Sequence, residues 1–174
     1  MRGYLAVVLV LAVNGLSLPA RAHAGDATCP PGASALPPEL AGWTSRQPLA
    51  AATQASAVDG ARLTIGRGVD AALSPTAEVR YGVRPEKPGG PGSYGGLFAF
   101  TVDQPGIYRV ALGSGGWVDV VQGDRVIASS AHGHGPECSG VRKMVDFSLR
   151  PGRYTLQIAG SGQASLPLMV ARLP

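Results

Sequence analysis

From Arg62 to the C-terminus, apolar and polar positions alternate in short runs set off by Gly and Pro. This is the period-two pattern of half-buried strands. The runs predict strands at Arg62–Ile65, Val69–Leu73, Glu78–Val83, Leu97–Val102, Ile107–Leu112, Trp117–Val121, Arg125–Ser129, Lys143–Leu149, Tyr154–Ala159 and Leu166–Leu173. In the second half the alternation is clean. Tyr108, Val110 and Leu112 fall on one face and Arg109 on the other, while Val145, Phe147 and Leu149 oppose Met144, Asp146 and Ser148. One dry and one wet face is what an antiparallel sheet presents. Short strands at this spacing predict an all-β chain, an antiparallel β-sandwich of jelly-roll-like type.

Upstream the pattern breaks down. Between Gly25 and Gly60 the stretches Cys29-Pro30-Pro31-Gly32 and Leu36-Pro37-Pro38 hold φ fixed and turn the preceding residues away from helix, which predicts an irregular Pro-rich arm. Trp43 is expected to anchor that arm on the sandwich. Ala50–Ala57 is too short for a helix to be more than marginal. The first residues read differently again: Met1-Arg2 is charged, Tyr4–Val13 is apolar, and Ala22-His23-Ala24 ends in the small-x-small pattern of a signal-peptidase site. Spanning a bilayer takes about 20 apolar residues, and Asn14 and Gly15 interrupt this run. Cys29 lacks the Leu-small-small that precedes a lipidated cysteine. The expected organisation is therefore a signal peptide over 1–24, the arm over 25–60 and the sandwich over 61–174. Such a chain is periplasmic or secreted in a bacterium.

Composition sharpens this only a little. Losing Arg2 and Arg21 with the leader takes the formal charge from +4 to +2, and the basic residues are scattered. Nucleic-acid binders concentrate them on one face, so that partner class is not expected. Only two cysteines occur, and in an exported chain they predict one disulfide, Cys29 to Cys138. The alternative is a thiolate at Cys138 acting as ligand or nucleophile, which an oxidising compartment disfavours.

One weak repeat stands out. Phe100-Thr101-Val102-Asp103-Gln104-Pro105-Gly106-Ile107-Tyr108 is echoed by Phe147-Ser148-Leu149-Arg150-Pro151-Gly152-Arg153-Tyr154. Each copy predicts a strand, a Pro-Gly turn with Gly at the positive φ of a type II turn, and a returning strand. The pattern resembles the hairpins of bacterial pre-peptidase C-terminal domains and similar carbohydrate-binding-type sandwiches. That resemblance implies a non-catalytic binding or structural module, with a protein or glycan partner of unknown identity. Tyr94 and Trp117, with Trp43, are the candidate sugar-stacking aromatics, the alternative for each being a place in the core. A long loop, Pro85–Gly96, is rich in Gly and Pro and is either functional or a plain connection. It contains neither a nucleophile elbow nor a phosphate-binding glycine motif.

The remaining chemistry sits in Ala131-His132-Gly133-His134-Gly135-Pro136-Glu137-Cys138, which holds the only histidines beyond the leader. If the segment is extended, the imidazoles project from one face with Cα atoms about 7 Å apart. Neutral imidazole suits Zn, Cu or Fe, and Glu137 could add an oxygen. The segment resembles the first metal motif of the cupins, His-x-His followed by Glu, and His132, His134 and Glu137 would map onto those ligands. The resemblance implies at most a small metalloprotein, a non-haem iron dioxygenase of the homogentisate 1,2-dioxygenase type. It departs from the family in its shorter spacing, in Pro136 and in the lack of a further histidine for the second motif. Three readings stay open for the segment: an unoccupied Gly-rich loop, a transition-metal site, and acid–base catalysis by a histidine. Arg142 and Lys143 near Asp146 read as a solvated face, and Asp119 as a residue turned away from the core.

Overall fold

A computed structural model describes Cys29 and residues 35–174; the expected leader and most of the arm's first prolines lie outside the described residues. Among the described residues eleven strands form two packed sheets. They are β1 (Arg46–Ala50), β2 (Gly68–Ala72), β3 (Ser74–Pro75), β4 (Tyr94–Val102), β5 (Gly106–Leu112), β6 (Trp117–Gln122), β7 (Arg125–Ile127), β8 (Ser129–Gly133), β9 (Lys143–Leu149), β10 (Gly152–Ser161) and β11 (Ser165–Arg172). One sheet has the order β1-β2-β11-β5-β9-β8 and the other β3-β4-β10-β6-β7. Every pairing is antiparallel except β1 with β2. With the added edge strands β1, β3 and β8 set aside, the two orders are those of a jelly roll, the architecture in which two Greek keys wrap around one core.

The repeat in the sequence proves to be the hinge of this topology. The chain does not turn back within a sheet at either Pro-Gly. It crosses from one sheet to the other, from β4 to β5 and again from β9 to β10. Gly152 accordingly sits at φ 154° and Gly106 lies outside the left-handed region, so neither supplies the φ of about 80° of the expected type II turn. The two copies pair with each other: Tyr154 lies opposite Phe100, and Tyr108 opposite Phe147. At both corners the tyrosine hydroxyl donates to the carbonyl oxygen four residues back, Tyr108 to Gln104 at 2.7 Å and Tyr154 to Arg150 at 2.9 Å. A tyrosine that ties a sandwich corner to its own upstream backbone fixes the crossing angle. The rings behind these hydroxyls fill the core with Phe98, Leu112, Leu156, Ile158 and Leu168, all essentially buried.

The N-terminal half is more integrated than its pattern predicts. Arg46-Gln47-Pro48-Leu49-Ala50, within the expected arm, becomes the edge strand β1. An edge position tolerates Pro48, whose missing N–H would break a central ladder. Two expected strands shrink instead. Glu78–Val83 follows a 3-10 turn at Thr76–Glu78 and keeps one bridge, Arg80 to Gln54, and Arg62–Ile65 keeps one bridge, Arg62 to Ala99. Their alternation is real, since Leu63 and Val79 are buried, but neither forms a ladder: Arg80 bridges Gln54, and Arg62–Leu63 is one of several short stretches that cover the open edge of β4 piecewise. β3 covers Tyr94 and Gly95, Ala52 exchanges two hydrogen bonds with Leu97, and Ala61 and Leu63 flank Ala99. Covering an edge in this way removes a row of free backbone groups that would pair with another chain.

A second, smaller core lies on the outer face of the six-stranded sheet. Trp43, 2% exposed, and Leu40 press on Ala111, Val141, Met169 and Ala171. The indole N–H of Trp43 donates to the Ser139 carbonyl oxygen at 3.1 Å, and Cys29 and Cys138 form a disulfide beside it with Cα atoms 5.7 Å apart. Trp43 is thus the expected anchor, and the pairing of the cysteines closes the thiolate alternative.

Candidate functional site

A hollow of about 630 Å³ opens where the sandwich is left ajar. β7 pairs only with Val120–Gln122 of β6, so Trp117–Asp119 forms an uncovered edge. β8 and β9 line the facing sheet with His132, Lys143, Val145 and Phe147. The remaining wall comes from the Gly/Pro-rich loop, which folds back over the outer face of the five-stranded sheet. Gln157, buried on that face, holds the loop by both ends of its amide. It accepts from Val83 N–H at 3.3 Å and donates to the Val83 carbonyl at 2.9 Å. Tyr81 adds a bond from its hydroxyl to the Ile158 carbonyl at 3.0 Å. Glu86 and Lys87 are thereby carried to the rim of the cleft.

Trp117 stands at the centre of this arrangement, half-buried. Its indole N–H donates to Asp119 Oδ1 at 2.9 Å. Lys87 Nζ lies 5.1 Å and Lys143 Nζ 5.9 Å from its ring centroid, within reach of cation–π attraction. Lys143 also donates to the Gly116 carbonyl at 2.6 Å. Burial shapes both charges. The Asp119 carboxyl titrates above the ordinary carboxylate range, chiefly because it is desolvated and further because Glu86 is near, although the Trp117 hydrogen bond acts the other way. Lys143 titrates below an ordinary lysine, first through desolvation and then through repulsion by Lys87. Polar groups of both signs around one indole provide donors, acceptors and an apolar plane in a single hollow.

The sequence-level candidates distribute unevenly over this site. Trp117 and His132 line the cleft. Tyr94 does not; it packs against the main core two strands away, with β10 between. Asp119 does turn away from the core, but the loop buries it to 8% exposure. Nor is the Lys143–Asp146 stretch a uniformly solvated face: Lys143 reaches into the cleft, and Asp146, 7% exposed, grips Arg109. Lys87, Lys143, Glu86 and Asp119 were not singled out by motif. The long Gly/Pro loop that carries two of them was the available signal.

The histidine segment itself is strand up to Gly133, and of its two histidines only His132 lines the cleft. His134 is exposed and donates from Nδ1 to the Arg142 carbonyl oxygen, 2.8 Å away. Gly135 is dictated by packing, since a Cβ there would meet the Val141 backbone and side chain. Among the described residues no three His, Cys, Asp or Glu side chains gather as a metal ion's ligands, so His132, His134 and Glu137 do not form the cupin-type set in this fold. Elemental analysis of the purified chain and of a His132→Ala, His134→Ala double variant is expected to give equal, sub-stoichiometric metal. A stoichiometric metal lost in the variant would contradict this geometry. Among the described residues no helix is long and apolar enough to cross a membrane. Compared with known proteins, the chain matches no protein-family model and no curated protein sequence.

Proposed function

We propose that this chain is an exported, non-catalytic β-sandwich module that binds a glycan in the cleft around Trp117. The observation that carries the reading is the half-buried indole at an uncovered sheet edge, ringed by Lys87, Lys143, Asp119 and His132. The apolar face of a pyranose stacks on such a ring, and hydroxyls need the donors and acceptors beside it. Export is supported by the leader pattern of residues 1–24 and by the disulfide, a bond of oxidising compartments.

Intrinsic fluorescence tests the proposal directly, because the chain has only two tryptophans and Trp43 is buried in the second core. Titration with a panel of neutral and acidic oligosaccharides is expected to shift the emission with at least one member. Trp117→Ala, followed by calorimetry because it removes the reporting ring, is expected to weaken that binding tenfold or more, about 1.4 kcal/mol. A panel without any response, or binding that survives Trp117→Ala, overturns the reading.

A further inference from the structure

We propose that the ligand is an anionic saccharide whose carboxylate or sulfate sits between Lys87 and Lys143 across the Trp117 ring; this rests on the glycan reading above. The two ammonium groups lie 5.1 and 5.9 Å from the same ring centroid. Among the described residues none of the ion pairs involves either of them. Two like charges gathered on one indole repel each other, and the carboxylates of the cleft, Glu86 and Asp119, form no ion pair with either of them, so an anion seated between the two ammonium groups gains from both. Lys143 spends one N–H on the Gly116 carbonyl, which leaves the other hydrogens of its ammonium free to reach an anion.

The shape of the site selects a chain over a lone ion. A second hollow of about 300 Å³ shares Lys87, Trp117 and Lys143 with the main cleft. The three side chains therefore form a saddle with space on both sides, so a ring bearing the anion sits on the saddle and its neighbours extend into the two hollows. The acidic side chains argue for sugar over an acidic peptide. Glu86 and Asp119 on the main side offer acceptors to the hydroxyls that a saccharide carries around its anion, and a Glu- or Asp-rich strand has no such donors on its side chains.

Calorimetry on the disulfide-intact chain separates the outcomes. The probes are an oligogalacturonide, its methyl ester, a sulfated galactan oligosaccharide and an oligoglutamate peptide. The uronate or the sulfated sugar is expected to bind at least tenfold more tightly than the methyl ester and to weaken as salt rises. The preferred arm identifies the anion. A Lys87→Gln, Lys143→Gln double variant with an unchanged melting curve is expected to lose that preference, and Lys87→Arg, Lys143→Arg to keep most of it. Equal binding of the uronate and its ester, still lost in Trp117→Ala, overturns the anion proposal and leaves the glycan reading standing. Binding of the peptide alone overturns both, and binding of none of the probes overturns the anion proposal and leaves the glycan reading to the neutral members of the fluorescence panel.

Discussion

Replacing Arg109 with Ala is expected to cost about 3–5 kcal/mol of stability, the usual penalty for leaving one charge of a buried pair without its partner. Arg109 projects from the outer face of β5 and holds Asp146 of β9 with two parallel bonds, Nε to Oδ1 and Nη2 to Oδ2, each 2.8 Å. Its third contact, Nη1 to Glu39 at 3.3 Å, ties in the 3-10 turn Pro38–Thr44 that carries Trp43. The side chains are only 19% and 10% exposed for Arg109 and Asp146. Water therefore screens the pair little, and the guanidinium is held above its ordinary pKa chiefly by the Asp146 hydrogen bond. For a domain of this size the loss corresponds to about 2–4 °C in Tm per kcal/mol. Arg109→Met with Asp146→Leu is expected to recover part of it, because the close pair is then gone and only Glu39, the second partner of Arg109, is left without its counter-charge. Thermal melts of the single and double variants decide the point. A single variant that melts within a degree or two of the parent means the pair carries no such burden.

Removing the disulfide is expected to have the next largest effect. Cys29→Ser with Cys138→Ser opens a loop spanning 109 residues, and losing a native bridge of this kind typically costs about 2–5 kcal/mol. Two local features depend on it. Cys138 adopts φ 60°, a backbone conformation that a non-glycine residue rarely takes, and the adjacent Ser139 carbonyl receives the Trp43 indole. The double variant is therefore expected to loosen the second core as well as to unfold at lower denaturant. Denaturant midpoints with and without reductant, against the variant, test this. A midpoint unmoved by reduction would mean that the bridge merely decorates an already fixed arm.

Much of this architecture is written locally in the chain. β5, β9 and β10 place their large apolar side chains at alternate positions, because each buries that face against the opposite sheet, although outer-face residues such as Ala111, Asp146 and Gln157 are covered as well. The cysteine pairing and the Trp43 anchor were legible for the same reason: few partners exist for either. What was not legible is set by long-range geometry. A Pro-Gly corner has the same local sequence whether the chain returns within a sheet or crosses to the other, and only the pairing of Tyr108 with Phe147 and Tyr154 with Phe100 shows the crossing. β1 was hidden because Pro48 argues against a strand except at an edge, and edge status is not a local property. The site followed the same rule. Trp117 and His132 could be named from residue type and position, but the burial of Asp119 and the convergence of Lys87 and Lys143 depend on a loop clamped by Gln157, more than 60 residues further along.

The most direct test of the central claim, that the cleft around Trp117 is where this protein binds, is a proton–nitrogen correlation spectrum of the indole N–H groups during a titration with galacturonate oligosaccharide. Two signals are expected, one for each tryptophan. The account predicts that the Trp117 signal moves, since its N–H contacts Asp119 at the cleft, while the Trp43 signal, fixed to the Ser139 carbonyl, stays in place. Movement of Trp43 alone, or of neither under saturating ligand, would contradict it.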